Sequence, residues 1–337
     1  MKARLITGAA AVAALVALAA CSSGGSSGAG GSANQGGGSA GGSSGDLTTV
    51  TVGTSGATAA YGPIYVGAEQ GIFKKHGIDL KIQDLTPNSV TAAVLSGNID
   101  IAMDGPNLAA GILSNPSAKV AATAGPTVFY IYAHPGVKSV AALKGDTIAV
   151  TTPGGALDTS VRAAITKAGL QPGVDVKIAY LQTNSAALAA VETGSVQAAG
   201  VSPPTSVQAQ QAGLVQLANI TPDCPLSLVA VNNQFAAGNK AVVGQFMAAW
   251  KEANTLAASS EADSDAALKQ YVQITNQAQL NGSWQAYKSV WEAAPFPASA
   301  MKQVLGQLAA ANPPVKSAAT ANPATLIDDS FMSAAGG

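Results

Sequence analysis

The sequence predicts an α/β fold of two similar lobes that face each other. Three observations carry this: strands of period two alternate with helices of period 3.6, one order of segments occurs twice, and two extended apolar segments bracket the second occurrence.

The first unit begins with the stretch 50–82, VTVGTSGATAAYGPIYVGAEQGIFKKHGIDLKI. Val50 and Val52 alternate with threonines as in a half-buried strand. Residues 54–60 are nearly all Gly, Ala, Ser or Thr, which leaves backbone N–H groups approachable. From Tyr61 the spacing changes, and Tyr61, Tyr65, Ala68 and Ile72 share a helix face. Pro63 fits there because early helical N–H groups have no intrahelical partner. Gly71 and Gly77 bracket a short turn, and Ile78, Leu80 and Ile82 resume the alternation of a second strand. Asn88 is expected to cap the next helix, with Val90, Ala93 and Val94 on one face and Gly97 at its stop. A strand over 99–103 runs into Asp104-Gly105-Pro106-Asn107, a turn that opens a helix through Leu113.

The second unit follows the same order. A strand over 146–150, a Gly-rich loop over 151–156 and a helix with the stripe Leu157, Val161, Ala164, Ile165 and Ala168, stopped by Gly169, are followed by a strand over 174–180 and a helix over 185–193. AVETGSVQAA (190–199) repeats AVLSGNIDIA (93–102) in its opening Ala-Val, its central Gly and its closing Ala. Each copy ends in a proline-bearing turn, Gly105-Pro106 in the first and Ser202-Pro203-Pro204-Thr205 in the second. The apolar segments 128–133 and 227–231 are read as two crossover strands, and such a hinge permits closure without local unfolding. On that reading lobe 1 is 46–133 with 225–337, and lobe 2 is the insertion 134–224.

From Asn239 onward the chain turns helical. Stripes of Val242, Val243, Phe246, Met247 and Trp250, then Leu268, Tyr271 and Val272, then Trp284, Tyr287 and Trp291, then Met301, Val304, Leu305 and Leu308 read as core packing. A last helix near 325–332 is expected to pack back on the first lobe.

The N-terminus speaks to location. Lys2 and Arg4 precede an Ala-rich apolar run too short to span a membrane, so 1–21 reads as an export signal. Its ending, Leu18-Ala19-Ala20-Cys21, resembles a bacterial lipobox, which implies lipidation of Cys21. Residues 22–45 are almost entirely Gly, Ser and Ala, a flexible tether of roughly 25–30 Å typical span. With Cys21 lipidated, Cys224 is the only thiol left of two, so no intramolecular disulfide is expected and Cys224 reads as a small buried residue. A formal net charge of -1 without a basic run argues against a nucleic-acid partner.

Three runs, GIFKKHGIDL (71–80), LSGNID (95–100) and ALKGDTIAV (142–150), together resemble the solute-binding proteins of ABC importers for nitrate, sulfonate and taurine, a family that also includes binders of thiamine-type pyrimidines. The resemblance covers most of 47–217 and, more loosely, the helical tail. Gln197 stands where members carry an acidic residue, a position expected to serve local structure. The resemblance implies a type II periplasmic-binding-protein fold: solute sits between the lobes, they close on it, and the closed form docks on a membrane permease.

Mapped onto this chain, four loops would face the cleft: 54–61, 103–107, 152–159 and 202–206. The candidate ligand-binding residues are Ser55, Thr58, Tyr61, Asp104, Asn107, Thr152, Gly154, Gly155, Thr159, Ser202 and Thr205. Each loop joins a strand to a helix N-terminus, where free N–H groups and the helix dipole favour an anion. None contains Lys or Arg, so sulfonate or nitrate capture would rest on neutral donors, chiefly Ser55, Thr58, Thr152, Gly154, Gly155 and Thr159. Asp104 would repel an anion and suit an amine or the amino group of a pyrimidine, with Tyr61 or Tyr65 available to stack; it could equally cap its own turn. Asp158 reads as a helix N-terminal acid, and His76 and His134 as residues of turns away from these loops.

The leading expectation is a monomeric, exported, lipid-anchored binding protein that delivers a sulfonate, nitrate or taurine-like solute to an ABC permease. The alternatives are a binder of an aminopyrimidine or other amine, a sensor lipoprotein, or an enzyme on the same fold. With two His and no visible triad, metal cluster or phosphate loop, neither catalysis nor a cofactor or metal is expected. If Cys21 carries the anchor, Cys21→Ala should move the protein from the membrane to the soluble fraction on cell fractionation; continued membrane association would refute the lipobox reading.

Overall fold

The computed structural model describes residues 47–333 except 224 and 312. The export signal, Cys21, the tether and Cys224 lie outside the described residues.

The first sheet is built as the alternation predicts. Strands β1 (Thr48–Thr54), β2 (Ile78–Asp84) and β3 (Ile101–Asp104) run parallel, linked by helices α1 (Gly62–Glu69), α2 (Ile72–Lys75) and α3 (Pro87–Ser96). Helix α4 (Pro106–Ser114) leads to β4 (Ala118–Thr123). Thr86, not Asn88, caps α3: its Oγ1 accepts the Ser89 N–H at 3.4 Å, because Pro87 occupies the first helical position and moves the cap two residues outward.

The second sheet contains β5 (Tyr130–Ala133), β6 (Thr147–Val150), β7 (Lys177–Tyr180), β8 (Ala198–Val201) and β9 (Val215–Asn219), with helices α5 (Ala156–Lys167), α6 (Asn184–Glu192) and α7 (Thr205–Gln211). The chain then returns to the first sheet through β10 (Leu228–Asn232). The strand orders are β2-β1-β3-β10-β4 and β7-β6-β8-β5-β9, the same arrangement twice. The repeated decapeptide occupies the same place in both, the end of α3 into β3 and the end of α6 into β8. Its glycine recurs because each helix closes on a left-handed residue, Gly97 at φ 77° and Gly194 at φ 73°.

The structure shows which sheet each expected crossover strand joins. Tyr130–Ala133 is an interior strand of the second sheet, antiparallel to both β8 and β9, and Leu228–Asn232 is likewise interior to the first, between β3 and β4. Their apolar character reflects burial between two neighbours. The chain passes between the sheets after Thr123 and again after Asn219, so the strand before the expected boundary at 133/134 pairs within the second sheet. The two segments hold each other: Thr127 and Ser227 hydroxyls lie 2.8 Å apart, and the Phe129 N–H donates to Thr221 Oγ1 at 3.2 Å.

The tail completes the first lobe. Helices α8 (Asn233–Gly238), α9 (Lys240–Ser259), α10 (Glu261–Tyr271) and α11 (Gln277–Tyr287) lie with α1 over one face of the sheet, and α12 (Ala298–Ala310) joins α3 and α4 on the other. Strand β10 feeds both cores by strict alternation, Val229 and Val231 to one and Leu228 and Ala230 to the other. Val243, Phe246, Met247 and Trp250 are fully buried, each contributing roughly 1.5–3 kcal/mol. That is why the tail is a layer of the lobe rather than a separate domain. The short last helix α13 (Ser330–Ser333) adds Phe331 and Met332 to the α9 side.

Gly125, in the first crossing segment, has φ 80°, and a Cβ there would stand 2.0 Å from the Val290 carbonyl oxygen. Gly125→Ala should therefore lower the unfolding free energy by about 2–4 kcal/mol, combining left-handed strain with the clash; urea denaturation within experimental error of wild type would contradict this.

Candidate ligand-binding cleft

A cavity of about 430 Å³ opens between the lobes, lined by residues of both. It lies at the C-terminal ends of the parallel strands, where α/β sheets place ligands. The start of the first loop is held from behind. Thr54 Oγ1 and Tyr65 OH both donate to Asp84 Oδ1, at 2.5 and 3.0 Å, and Trp291 Nε1 donates to the Ala59 carbonyl at 3.2 Å. Gly62 is required beneath that indole, since a Cβ would come within 2.4 Å of it.

Of the predicted residues, Ser55, Thr58, Tyr61, Asp104, Thr152, Gly155, Ser202 and Thr205 line the cavity. Three do not. The Gly154 N–H is occupied by Asp158 Oδ2 at 2.9 Å, because the α5 N-terminus is capped by its own acid, which also pairs with Arg162 Nε at 2.9 Å. Thr159 lies one turn into α5, its N–H donating to the Gly155 carbonyl at 3.0 Å. Asn107 sits at the rim, its Oδ1 3.4 Å from where a Gly154 Cβ would stand, so it meets the other lobe rather than the cavity. Tyr65, considered for stacking, is fully buried and lies over Tyr271 with ring centroids 5.1 Å apart.

Asp104 is the one acidic lining residue, and no Lys or Arg lines the cavity among the described residues. Only 3% of its surface is exposed. Burial pushes its carboxyl up from 3.8 to about 7, against the opposing hydrogen bonds from the Gly105 N–H (2.7 Å), Ser55 and the Thr91 hydroxyl (3.3 Å). So Asp104 does cap its turn, and it also faces the cleft. Tyr61 OH lies 2.6 Å from Ser55 Oγ, and its pKa is raised by burial first and by the Asp104 charge second.

Several lining residues went unforeseen. Gln182, Thr183 and Asn184 follow β7, another strand-to-helix loop that the same rule would have found. Gln273 and Gln279 come from the helical tail, where periodicity gives no position relative to a cleft. Thr127, Phe129 and Ser227 belong to the crossing segments. Asn184 Nδ2 donates to Ser202 Oγ at 2.8 Å, which leaves its buried Oδ1 without a partner. Gln208 Nε2 donates to Gln279 Oε1 at 3.3 Å, a direct bond between α7 and α11, where Val207 also packs into the space left by Gly282. Among the described residues, no group of three or more His, Cys, Asp or Glu is placed to hold a metal ion.

The family model described as NMT1/THI5 like matches residues 58–261, more than half of the chain. The chain belongs to that family. The NMT1/THI5-like match begins within the first loop and covers the whole second sheet and the start of the tail. Solved structures share the fold at low identity. They include the alkanesulfonate-binding protein SsuA from Xanthomonas axonopodis pv. citri bound to MOPS (17% identity, 86% of this chain and 98% of that one, TM-score 0.69). The periplasmic nitrate-binding protein NrtA from Synechocystis PCC 6803 is similar at 16% identity, over 86% of this chain and 88% of that one, with TM-score 0.70. The periplasmic aliphatic sulphonate binding protein SsuA from Escherichia coli gives 20%, 77% and 85%, with TM-score 0.63. No curated protein matches the sequence. The fold is therefore that of periplasmic binding proteins.

The Asp104 environment makes a pH prediction. Its carboxyl titrates near 3.8 when unfolded and near 7 when folded, so the folded state holds the proton more tightly through that window. The resulting stability is present below pH 4 and lost as pH rises to 7. Asp104→Asn should gain on wild type across this range, by up to about 4 kcal/mol, with no further gain above it. Urea unfolding at pH 4.5, 6 and 8 measures this, and a difference independent of pH would contradict it.

Proposed function

We propose that this chain is the solute-capturing component of an ABC importer, anchored outside the cell membrane through Cys21, and that it works as a monomer without catalysing a reaction. The observation that carries the reading is one cavity lined by both lobes and by Thr127 and Ser227, whose paired hydroxyls tie together the two segments that link the lobes, an arrangement suited to closing on a solute. The fold shared with SsuA and NrtA supports it.

Between the two solute classes left open by the sequence, the lining favours an amine or aminopyrimidine over a sulfonate, nitrate or taurine-like anion. A carboxylate faces the cavity and, among the described residues, no Lys or Arg does. Helix N-termini offset part of that charge, but an oxyanion would bind well only against protonated Asp104. Thermal-shift titrations of the soluble body with methanesulfonate, nitrate, taurine and 4-aminopyrimidine at pH 5.5, 7 and 8.5 separate the readings. 4-Aminopyrimidine, neutral through most of this range, should raise Tm and do so more strongly once Asp104 is ionised. A shift with nitrate or methanesulfonate alone, strengthening toward pH 5.5, would move the assignment back to the anion.

A further inference from the structure

Left-handed backbone is taken by eleven glycines among the described residues and by two others, Gln182 at φ 68° and Gln273 at φ 58°. An L side chain disfavours that conformation because its Cβ crowds the following carbonyl oxygen. The chain otherwise uses glycine there. Helices α3, α5 and α7 end on left-handed Gly97, Gly169 and Gly213, whereas α10 ends on Gln273, with the following N–H of Ile274 reaching back to the Leu268 carbonyl at 3.4 Å. Gln182 follows β7, its N–H fixed on the Thr151 carbonyl at 3.0 Å.

Both side chains are exposed, so neither is retained for core packing. Both line the cavity between the lobes, Gln182 from the second lobe and Gln273 from the first. We propose that Gln182 and Gln273 are specificity-determining residues: two carboxamides, one on each lobe, that read a solute whose edge carries both hydrogen-bond donors and acceptors. The backbone strain is tolerated because the cleft needs the amides where glycine would otherwise stand. The rest of the lining points to the same solute chemistry. The Asp104 carboxylate accepts hydrogen bonds at the same cavity, which favours a solute that donates. Nitrate and sulfonates present acceptors alone.

This inference rests on the solute-binding reading and is tested separately from it. Wild type, Gln182→Gly, Gln273→Gly, Gln182→Asn and Gln273→Asn are titrated with cytosine, 4-aminopyrimidine, nitrate and methanesulfonate, and the ligand-free Tm of each is recorded. The glycine variants should keep or raise the ligand-free Tm, since glycine relieves the strain, while affinity for whichever aminoheterocycle binds wild type falls at least tenfold. The asparagine variants, which tolerate left-handed backbone and keep an amide, should recover part of that loss. Glycine variants that bind as wild type does, or a wild type that binds only nitrate or methanesulfonate, overturn the assignment. A wild type that binds none of the four overturns the solute reading beneath it.

Discussion

The structure depends on one pairing, the insertion of β10 between β3 and β4. Leu228–Asn232 is buried along its whole length and hydrogen-bonded on both edges, so its backbone groups find partners only when the chain has returned from the second lobe. This pairing brings Thr221 and Ser227 beside Phe129 and Thr127 and fixes the sheets with their strand ends toward each other. The second sheet repeats the device with β5 between β8 and β9. Each lobe is thus finished by a strand that lies next to a crossing segment, and the cleft follows from that connectivity.

Electrostatics in the cleft is set by what the packing leaves out of water. Asp104 would be an ordinary carboxylate on a surface turn. Here the first sheet, the Ser55–Tyr61 pair and the facing α5 N-terminus remove its solvent, and three hydrogen bonds only partly stabilise its charge. Asp158 shows the contrast. It is as buried as Asp104, yet it caps α5 and pairs with Arg162, so its charge is used within its own lobe. Asp104 ends a strand while Asp158 lies in the first turn of a helix, with Arg162 one turn further on as its partner.

Much of the site was legible in the sequence because its loops are local. Ser55, Thr58, Thr152, Gly155, Ser202 and Thr205 follow from reading where a strand ends and a helix begins, and all six line the cavity. The misses have both local and non-local causes. Gly154 was lost to a cap formed by a side chain four residues on, Tyr65 to a stacking partner more than two hundred residues away, and Gln273 was overlooked because a helix end has no address in the fold until its helix is packed.

The sequence by itself determined the strand-loop-helix units, their repetition and the glycines that stop the helices, since period, turn chemistry and left-handed backbone act within a few residues. Tertiary structure decided which sheet each apolar strand joined, which loop side chains faced the cavity, and how far the Asp104 carboxyl was shifted. Those outcomes rest on hydrogen-bond pairing and exclusion of water between segments far apart in the chain, and neither is fixed until the two lobes are folded and joined.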